Sequence, residues 1–418
     1  MGRTKRRRRH RPEVSKSLEN TTDCVQLRQW LAQHGWKNET RLQLRSFAQT
    51  GRGICSRRAI NANDVLISIP NQLMITFNSI QTCLMSHIAL LREPLKIQEL
   101  LAVFLMMEVT NIESSWKEYI GSLPKELPAL PWLATEDEVS LYPDEMQKIS
   151  RKCHENYRNG LKRAKKLLSD ALFDEELFKW GYVLVNTRAV YVDPNQLGIE
   201  EGFSSVLLDT PNMALCPFLD MFNHDFNANT EAALNNQDGQ LVYQLKTLSG
   251  YRKYDQIFIS YGPHNNMKLL MEYGFFIPGN VYDVVQFEMA AVLKVLGVQI
   301  DQRQYKFIKE HFLDSKLYIG YDMLSFNLKA LIFVSLNGDC KNISEVVFGD
   351  KYSEEFLLRL KPIVNELLDT KIFLYKEQCK NCEINAATKS KYASMMQQFL
   401  EYRVMFVLDL KKIFDEKS

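Results

Sequence analysis

Phe218-Leu219-Asp220-Met221-Phe222-Asn223-His224-Asp225 and, further on, Ile259-Ser260-Tyr261-Gly262-Pro263-His264-Asn265 are the stretches whose reading decides the fold of this chain. A third, Glu272-Tyr273-Gly274-Phe275-Phe276, follows closely. Asp220, Asn223, His224 and Tyr261 have fixed hydrogen-bonding geometry, yet they stand among aromatic and aliphatic residues of the kind that fill cores. Such groups are costly to bury without partners, so their concentration in apolar sequence asks for mutual pairing around a site. The rest of the chain is read as the wall around this segment.

The sequence is long enough for two or three domains of ordinary size: 418 residues, 46% hydrophobic and 24% charged, a soluble globular balance. The longest apolar run, Leu100 to Val109, contains Glu108 and is far too short to span a bilayer, so no membrane helix is expected. Seven basic residues (Arg3, Lys5, Arg6, Arg7, Arg8, Arg9, Arg11) crowd the first eleven positions, against a formal net charge of +2 for the whole chain. The body is therefore acidic on balance, and direct nucleic-acid contact is expected only through this basic arm. No apolar stretch follows the arginines, so a secretory signal is not expected. A nuclear-import or nucleic-acid segment and a solvated, disordered tail both remain open readings of the arm. Cys24, Cys55, Cys83, Cys153, Cys216, Cys340, Cys379 and Cys382 are scattered without framework spacing, which suggests reduced thiols in an intracellular compartment. Only Cys379-Lys380-Asn381-Cys382 has ligand spacing, and a single such pair is weak support for zinc.

In chain order, residues 1–22 read as the basic disordered arm. Val25, Leu27, Trp30 and Leu31 predict a helix from Asp23 that stops near Gly35. Strands are expected at 41–47, 64–69 and 73–76, with Gly51-Arg52-Gly53 permitting a sharp turn or a close backbone approach. A buried helix spans 97–109, and Pro124, Pro128 and Pro131 mark a connector. The tract Glu136 to Leu184 is mostly helical, with Arg158, Lys162, Arg163, Lys165 and Lys166 read as a solvated face. A helical insertion at about 95–182 inside a β-rich domain explains this order. Strands return at 188–192, in a hairpin around Asn235-Asn236-Gln237-Asp238-Gly239, and at 255–260, which delivers Tyr261 to a strand end. From 283 to 418 an all-α domain is expected, with Pro362 kinking or dividing the helix that starts near Ser353.

Gly51-Arg52-Gly53, Asn186-Thr187-Arg188, Asp220-x-x-Asn223-His224, Tyr261-Gly262 and Tyr273-Gly274-Phe275 occur in the order used by SET-domain methyltransferases. The helical insertion and helical C-terminal part narrow the resemblance to the branch typified by the plant Rubisco large-subunit lysine methyltransferase, over roughly residues 25–410. The resemblance implies an α+β fold of short antiparallel sheets with a threaded pseudoknot over 23–282, and a substrate-binding helical domain over 283–418. It implies S-adenosyl-L-methionine as cofactor, lined by the backbone at Gly53, Ile54 and Cys55, with Arg188 at its charged end and Asn223 and His224 holding its amino-acid and adenine portions. Phe275 would pack near the adenine, and Asp220 belongs to the same set chiefly as a brace for the chain crossing. Tyr261, which also faces the cofactor, is the implied catalytic residue, with Tyr273 beside it in the acceptor channel.

The chemistry suits these groups. Methyl transfer from a sulfonium is an in-line displacement that requires alignment and exclusion of water, and no metal. A lysine with a pKa of about 10.4 must lose its proton first, which a nearby cation and a dry aromatic channel favour. The expected partner is a protein substrate, a histone tail or another lysine-containing protein, in nucleus and cytoplasm, and one relative in this branch accepts histidine. Two alternatives stand beside this reading: a non-catalytic SET scaffold that binds a partner through its helical domain, and a metal-dependent hydrolase built on Asp220, His224, Asp225 and His264. Asn223 is a poor metal ligand, and no second His/Asp cluster completes a shell.

Overall fold

The computed structural model describes residues 15–81, 93–167, 172–198, 206–237, 239–338, 342–384 and 390–417. The basic residues of the arm, together with Cys83 and Cys340, lie outside them. The elements in chain order are β1 (Ser15–Ser17), α1 (Thr22–Gln33), β2 (Leu42–Phe47), β3 (Gly51–Ser56), β4 (Val65–Pro70), α2 (Ile97–Thr110), α3 (Lys117–Ser122), α4 (Glu136–Val139), α5 (Asp144–Ala164) and α6 (Glu175–Arg188). Then come β5 (Val190–Tyr191), β6 (Met213–Ala214), β7 (Asn223–His224), β8 (Thr230–Gln237), β9 (Gln240–Thr247), β10 (Gln256–Ile259) and α7 (Asn266–Tyr273). The last stretch holds β11 (Val284–Gln286), α8 (Met289–Leu296), α9 (Gln302–Glu310), β12 (Tyr318–Gly320), β13 (Met323–Leu324), α10 (Phe326–Leu336), α11 (Ile343–Phe348), α12 (Glu354–Ile384) and α13 (Lys391–Lys417).

Two compact units result: the chain up to Leu127 together with Glu155–Gly262, and Pro128–His154 together with Pro263 onward. The segment 95–182 thus contributes to both units, and the chain from Pro263 onward belongs to the second.

In the first unit a five-stranded sheet has the order β1-β2-β3-β10-β7, and β4-β9-β8 form a second sheet. All neighbours are antiparallel except β10 and β7, which run parallel with Phe258 opposite Asn223 and Ile259 opposite His224. Ser15–Ser17, expected at the end of a disordered arm, pairs with Arg45–Phe47 as the edge strand β1. The expected strand at 73–76 is reduced to one bridge between Ile75 and Leu215. Leu73, Met74 and Ile75 are all fully buried, so this segment is core-filling chain without the alternation that a two-faced strand needs. The expected strand at 188–192 shrinks to β5, because α6 continues to Arg188.

Leu100 to Leu105 in α2 are buried on every side. The helix packs on α6 where Gly181 faces Ala102, and a β-carbon at 181 would stand 2.7 Å from the Ala102 carbonyl oxygen. Glu99, 1% exposed, is met by the Arg163 guanidinium, whose Nε donates to it at 3.0 Å. One member of the basic face thus neutralises a buried carboxylate, and Lys165 and Lys166 pair with Glu175 and Glu93 at the surface.

The second unit is helical around an apolar core that includes Leu270, Val292, Leu331, Leu368, Phe399 and Val407. The expectation of an all-α region is corrected by a small antiparallel sheet, β11-β12-β13, nucleated by the β-branched pair Val284-Val285. Pro362 does not divide the chain: α12 runs through it from Glu354 to Ile384. The carbonyl that Pro362 leaves without its amide partner belongs to Leu358, which is 77% exposed and can turn to water. Asp283 and Asn266 are fully buried and joined by hydrogen bonds to each other and to Tyr402, with Arg403 paired to Asp283 at 3.2 Å. Glu145 accepts from Lys371 and Tyr375, each at 2.9 Å.

Candidate active site

Phe218 adopts φ +70° ahead of a tight turn at Leu219–Met221, which is followed at once by β7. This brings a buried carboxylate, an amide and an imidazole to one edge of the five-stranded sheet. Asp220, whose side chain is fully buried, accepts from Arg188 Nη1 at 3.0 Å, and the same nitrogen also donates to the Asp220 carbonyl at 3.0 Å. The Tyr119 hydroxyl donates to the same carboxylate oxygen at 3.2 Å. Burial and the adjacent Asp220 charge push the Tyr119 phenol well above its usual pKa, so it remains a donor.

Asn223 Nδ2 donates to the Arg52 carbonyl at 2.9 Å, tying β7 to β3. Gly53 makes that approach possible. Its backbone is ordinary, but a β-carbon there would lie 2.7 Å from Asn223 Nδ2 and 2.6 Å from Gln256 Nε2. Gly51 is the residue that needs conformational freedom, at φ +70° with open space around it. Ile54 and Cys55 are fully buried, and their strand is flanked by β2 and β10 on both sides, so their ladder groups face other strands. Burial raises the Cys55 thiol to about 11, which leaves it protonated and unreactive.

The parallel β7–β10 pairing sets His224 beside the chain leaving β10. The Tyr261 amide donates to His224 Nδ1 at 3.0 Å, and the same ring nitrogen lies 3.3 Å from the Ile259 carbonyl. The two rings stack at 5.1 Å with 24° between their planes. The Tyr261 hydroxyl donates to the Phe222 carbonyl at 2.7 Å, which anchors the phenol to the chain just ahead of β7.

The structure thus brings together Arg188, Asp220, Asn223, His224, Tyr261 and Gly53. Tyr273 and Phe275 belong to the second unit, where their rings lie 6.1 Å apart and Tyr273 stacks with His264 at 6.3 Å. Burial, reinforced by Glu272, raises the Tyr273 phenol to about 12. Gly274, at φ +79°, caps α7 between the two rings.

Sequence reasoning missed Arg52, Tyr119 and Gln256. Arg52 is half-buried within electrostatic reach of Asp220 and Arg188, and burial, then Arg188, lowers its pKa. Its Nη1 donates to the Ser122 carbonyl at 2.7 Å, while its Nη2 is buried with no hydrogen-bond partner among the described residues. Asp220 Oδ1 is in the same condition. An arginine between two glycines was the available signal, since it places a long cation in β3 beside a site of close backbone approach. Among the described residues no group of three His, Cys, Asp or Glu stands close enough to hold a metal ion.

The SET domain family model matches residues 51–262, which spans both glycines, Arg188, Asp220, Asn223, His224 and Tyr261. SET domain-containing protein 4 of Mus musculus is 30% identical over 345 residues, covering 78% of this chain and 76% of that protein. The ribosomal lysine N-methyltransferase set11 of Schizosaccharomyces pombe is 27% identical, covering 68% and 67%. The actin-histidine N-methyltransferase of Papio anubis is 29% identical, covering 67% and 45%. Among solved structures, the SET domain of LSMT bound to lysine and AdoHcy superposes with a TM-score of 0.61 at 17% identity, covering 94% of this chain and 91% of that one. The fold, the matched segment and the relatives agree: this chain belongs to the SET domain family.

Proposed function

We propose that the chain is a protein-lysine N-methyltransferase that uses S-adenosylmethionine. The observation that carries this reading is the Tyr261 phenol, fixed by its hydrogen bond to the Phe222 carbonyl and stacked on His224, inside the segment that the SET domain family model matches. When bound, the cofactor supplies an activated methyl group on a sulfonium.

The residues present fit that cofactor. Its amino-acid end carries a carboxylate and an ammonium, and one buried guanidinium nitrogen and one buried carboxylate oxygen, Arg52 Nη2 and Asp220 Oδ1, stand within electrostatic reach of each other, each without a hydrogen-bond partner among the described residues. Arg188 fixes the Asp220 carboxylate from the other side. Asn223 uses its amide nitrogen on Arg52, which leaves its amide oxygen to accept from the ligand. His224 orients Tyr261 through the backbone. Ile54 and Cys55 are buried beside Gly53 in β3, and their place next to the cofactor rests on family resemblance. Tyr273 is assigned to acceptor positioning and Phe275 to the adenine by family resemblance alone.

Lysine is proposed as the acceptor on the similarity to the ribosomal lysine N-methyltransferase set11, and histidine, the acceptor named for the actin-histidine N-methyltransferase, is the alternative that the test must separate. Histone tails and other basic proteins are the substrates proposed. Incubation of the purified chain with labelled cofactor and candidate proteins, followed by mass spectrometry, identifies the modified side chain. Tyr261→Phe is expected to lower the transfer rate on the order of 10²-fold while leaving cofactor affinity nearly unchanged. Transfer by that variant at the parent rate refutes the assignment, and label found only on histidine refutes the acceptor.

A further inference from the structure

Away from the methyl-transfer site, a cleft of about 320 Å³ in the first unit is lined by Glu19, Arg28, Asn38, Arg41, Gln43 and Arg57. Its construction is unfavourable for a chain that gains nothing from it. The β2–β3 ladder pairs Leu42 with Ser56, and one step beyond it the Arg57 amide donates to the Arg41 carbonyl at 3.0 Å. Two arginines therefore stand opposite each other across neighbouring strands, an arrangement that destabilises a sheet.

Arg41 is held in the left-handed region at φ +52°, which a residue with a side chain adopts only under constraint. The constraint is visible. Asn38 clamps Leu42 through both backbone groups, at 2.7 and 2.9 Å, and the Ser56 hydroxyl donates to the Thr40 carbonyl at 2.6 Å.

A single carboxylate faces these three cations. Glu19 pairs with Arg28 through one oxygen and accepts from the Leu44 amide at 2.9 Å through the other. Among the described residues, Arg41 and Arg57 form no ion pair, and neither does Glu39 in the same turn. Burial, together with the charge of Arg57, lowers the pKa of Arg28, as expected where like charges crowd without relief.

We propose that this cleft binds a phosphate dianion, either free inorganic phosphate or the monoester of a phosphoserine carried on a protein. Planar guanidinium forks match tetrahedral oxyanions in bidentate fashion, and a dianion balances the two arginines that the protein leaves unpaired. The site stands independently of the methyl-transfer reading.

The test is thermal unfolding of the full chain in chloride buffer at fixed ionic strength, titrated with inorganic phosphate, a capped phosphoserine peptide and the same peptide unphosphorylated. The parent is expected to gain stability with either phosphorylated probe, because a ligand that binds only the folded chain raises its melting temperature. Arg57→Gln is expected to weaken that binding about tenfold, the loss of one charge-assisted contact. Arg41→Gly is the more telling variant. Glycine accepts the left-handed backbone and removes the opposed charge, so it is expected to melt no lower than the parent without phosphate, yet to respond weakly to it. A stronger response to the peptide than to the ion assigns the protein-borne source, and the reverse assigns the free ion. A flat titration of the parent, an equal response to the unphosphorylated peptide, or parental responses from both variants overturns the proposal.

Discussion

Replacing Gly53 by alanine separates two reasons for a glycine at this position. The backbone of Gly53 is one that alanine adopts freely, so no conformational penalty is expected. The added methyl group would instead meet Gln256 Nε2 at 2.6 Å, Asn223 Nδ2 at 2.7 Å and the Phe47 ring at 3.2 Å. Neither amide can simply swing aside. Gln256 is 4% exposed and exchanges hydrogen bonds with Thr50 at 2.8 and 3.0 Å, and Asn223 holds the Arg52 carbonyl. Overpacking of this kind costs about 1–3 kcal/mol, and a hydrogen bond lost in the adjustment adds about 1 kcal/mol. Gly51→Ala is the control: it meets no atom within 4 Å but must hold φ +70°, at roughly 1 kcal/mol. Thermal unfolding is expected to show both variants destabilised. Calorimetric titration with S-adenosylmethionine is expected to show weakened binding for Gly53→Ala alone, because only that change moves Asn223. Unchanged stability and cofactor affinity in Gly53→Ala would refute the close packing on which this account of the pocket rests.

Two further outcomes concern buried charge. Arg163→Met strands the Glu99 carboxylate at 1% exposure and should destabilise the chain by about 3–5 kcal/mol in urea unfolding, whereas adding Glu99→Leu should recover most of that loss. Although burial by itself would raise the pKa of Glu145, the charges of Lys371 and Arg403 and the hydrogen bonds from Lys371 and Tyr375 outweigh it and hold the carboxyl below its usual value. The stability that this pair contributes is therefore present above the ordinary carboxylate range near 4.3 and lost as pH falls through the lower folded value. Glu145→Gln should be less stable than the parent at neutral pH, and the gap should close from about pH 5 downward. A gap that stays constant with pH would contradict the assigned direction.

Much of the first unit was legible because its strands and helices declare themselves by period: α1 and α2 by their apolar faces, the β8–β9 hairpin by Asn-Asp-Gly chemistry around its turn. Asn223, His224 and Tyr261 were singled out by type and order, since such groups are expensive to bury without partners, and the structure brings them together at the β7–β10 edge. Three things were hidden. The parallel β7–β10 contact joins residues some 35 apart through two-residue and four-residue strands, too short for any alternation to show. The partner atoms of Tyr261 and Asn223 are backbone carbonyls of Phe222 and Arg52, and a carbonyl has no letter in a sequence. The close approach expected at Gly51-Arg52-Gly53 falls on Gly53, but the groups that approach are the side-chain amides of Gln256 and Asn223, which lie far away in sequence. The β11–β13 sheet was missed because each strand is two or three residues long amid helical spacing, and Pro362 misled because a missing hydrogen bond at an exposed carbonyl is tolerated.

Gly181 and Arg188 sit seven residues apart on α6, two full turns, so the close approach to Ala102 and the clasp on Asp220 leave the helix from nearly the same side. Adding or deleting one residue between them would rotate the arginine by about 100° and release the carboxylate. Two contacts, one on each turn, thus fix the length of this stretch of helix, so an insertion or deletion within it is expected to break one of them.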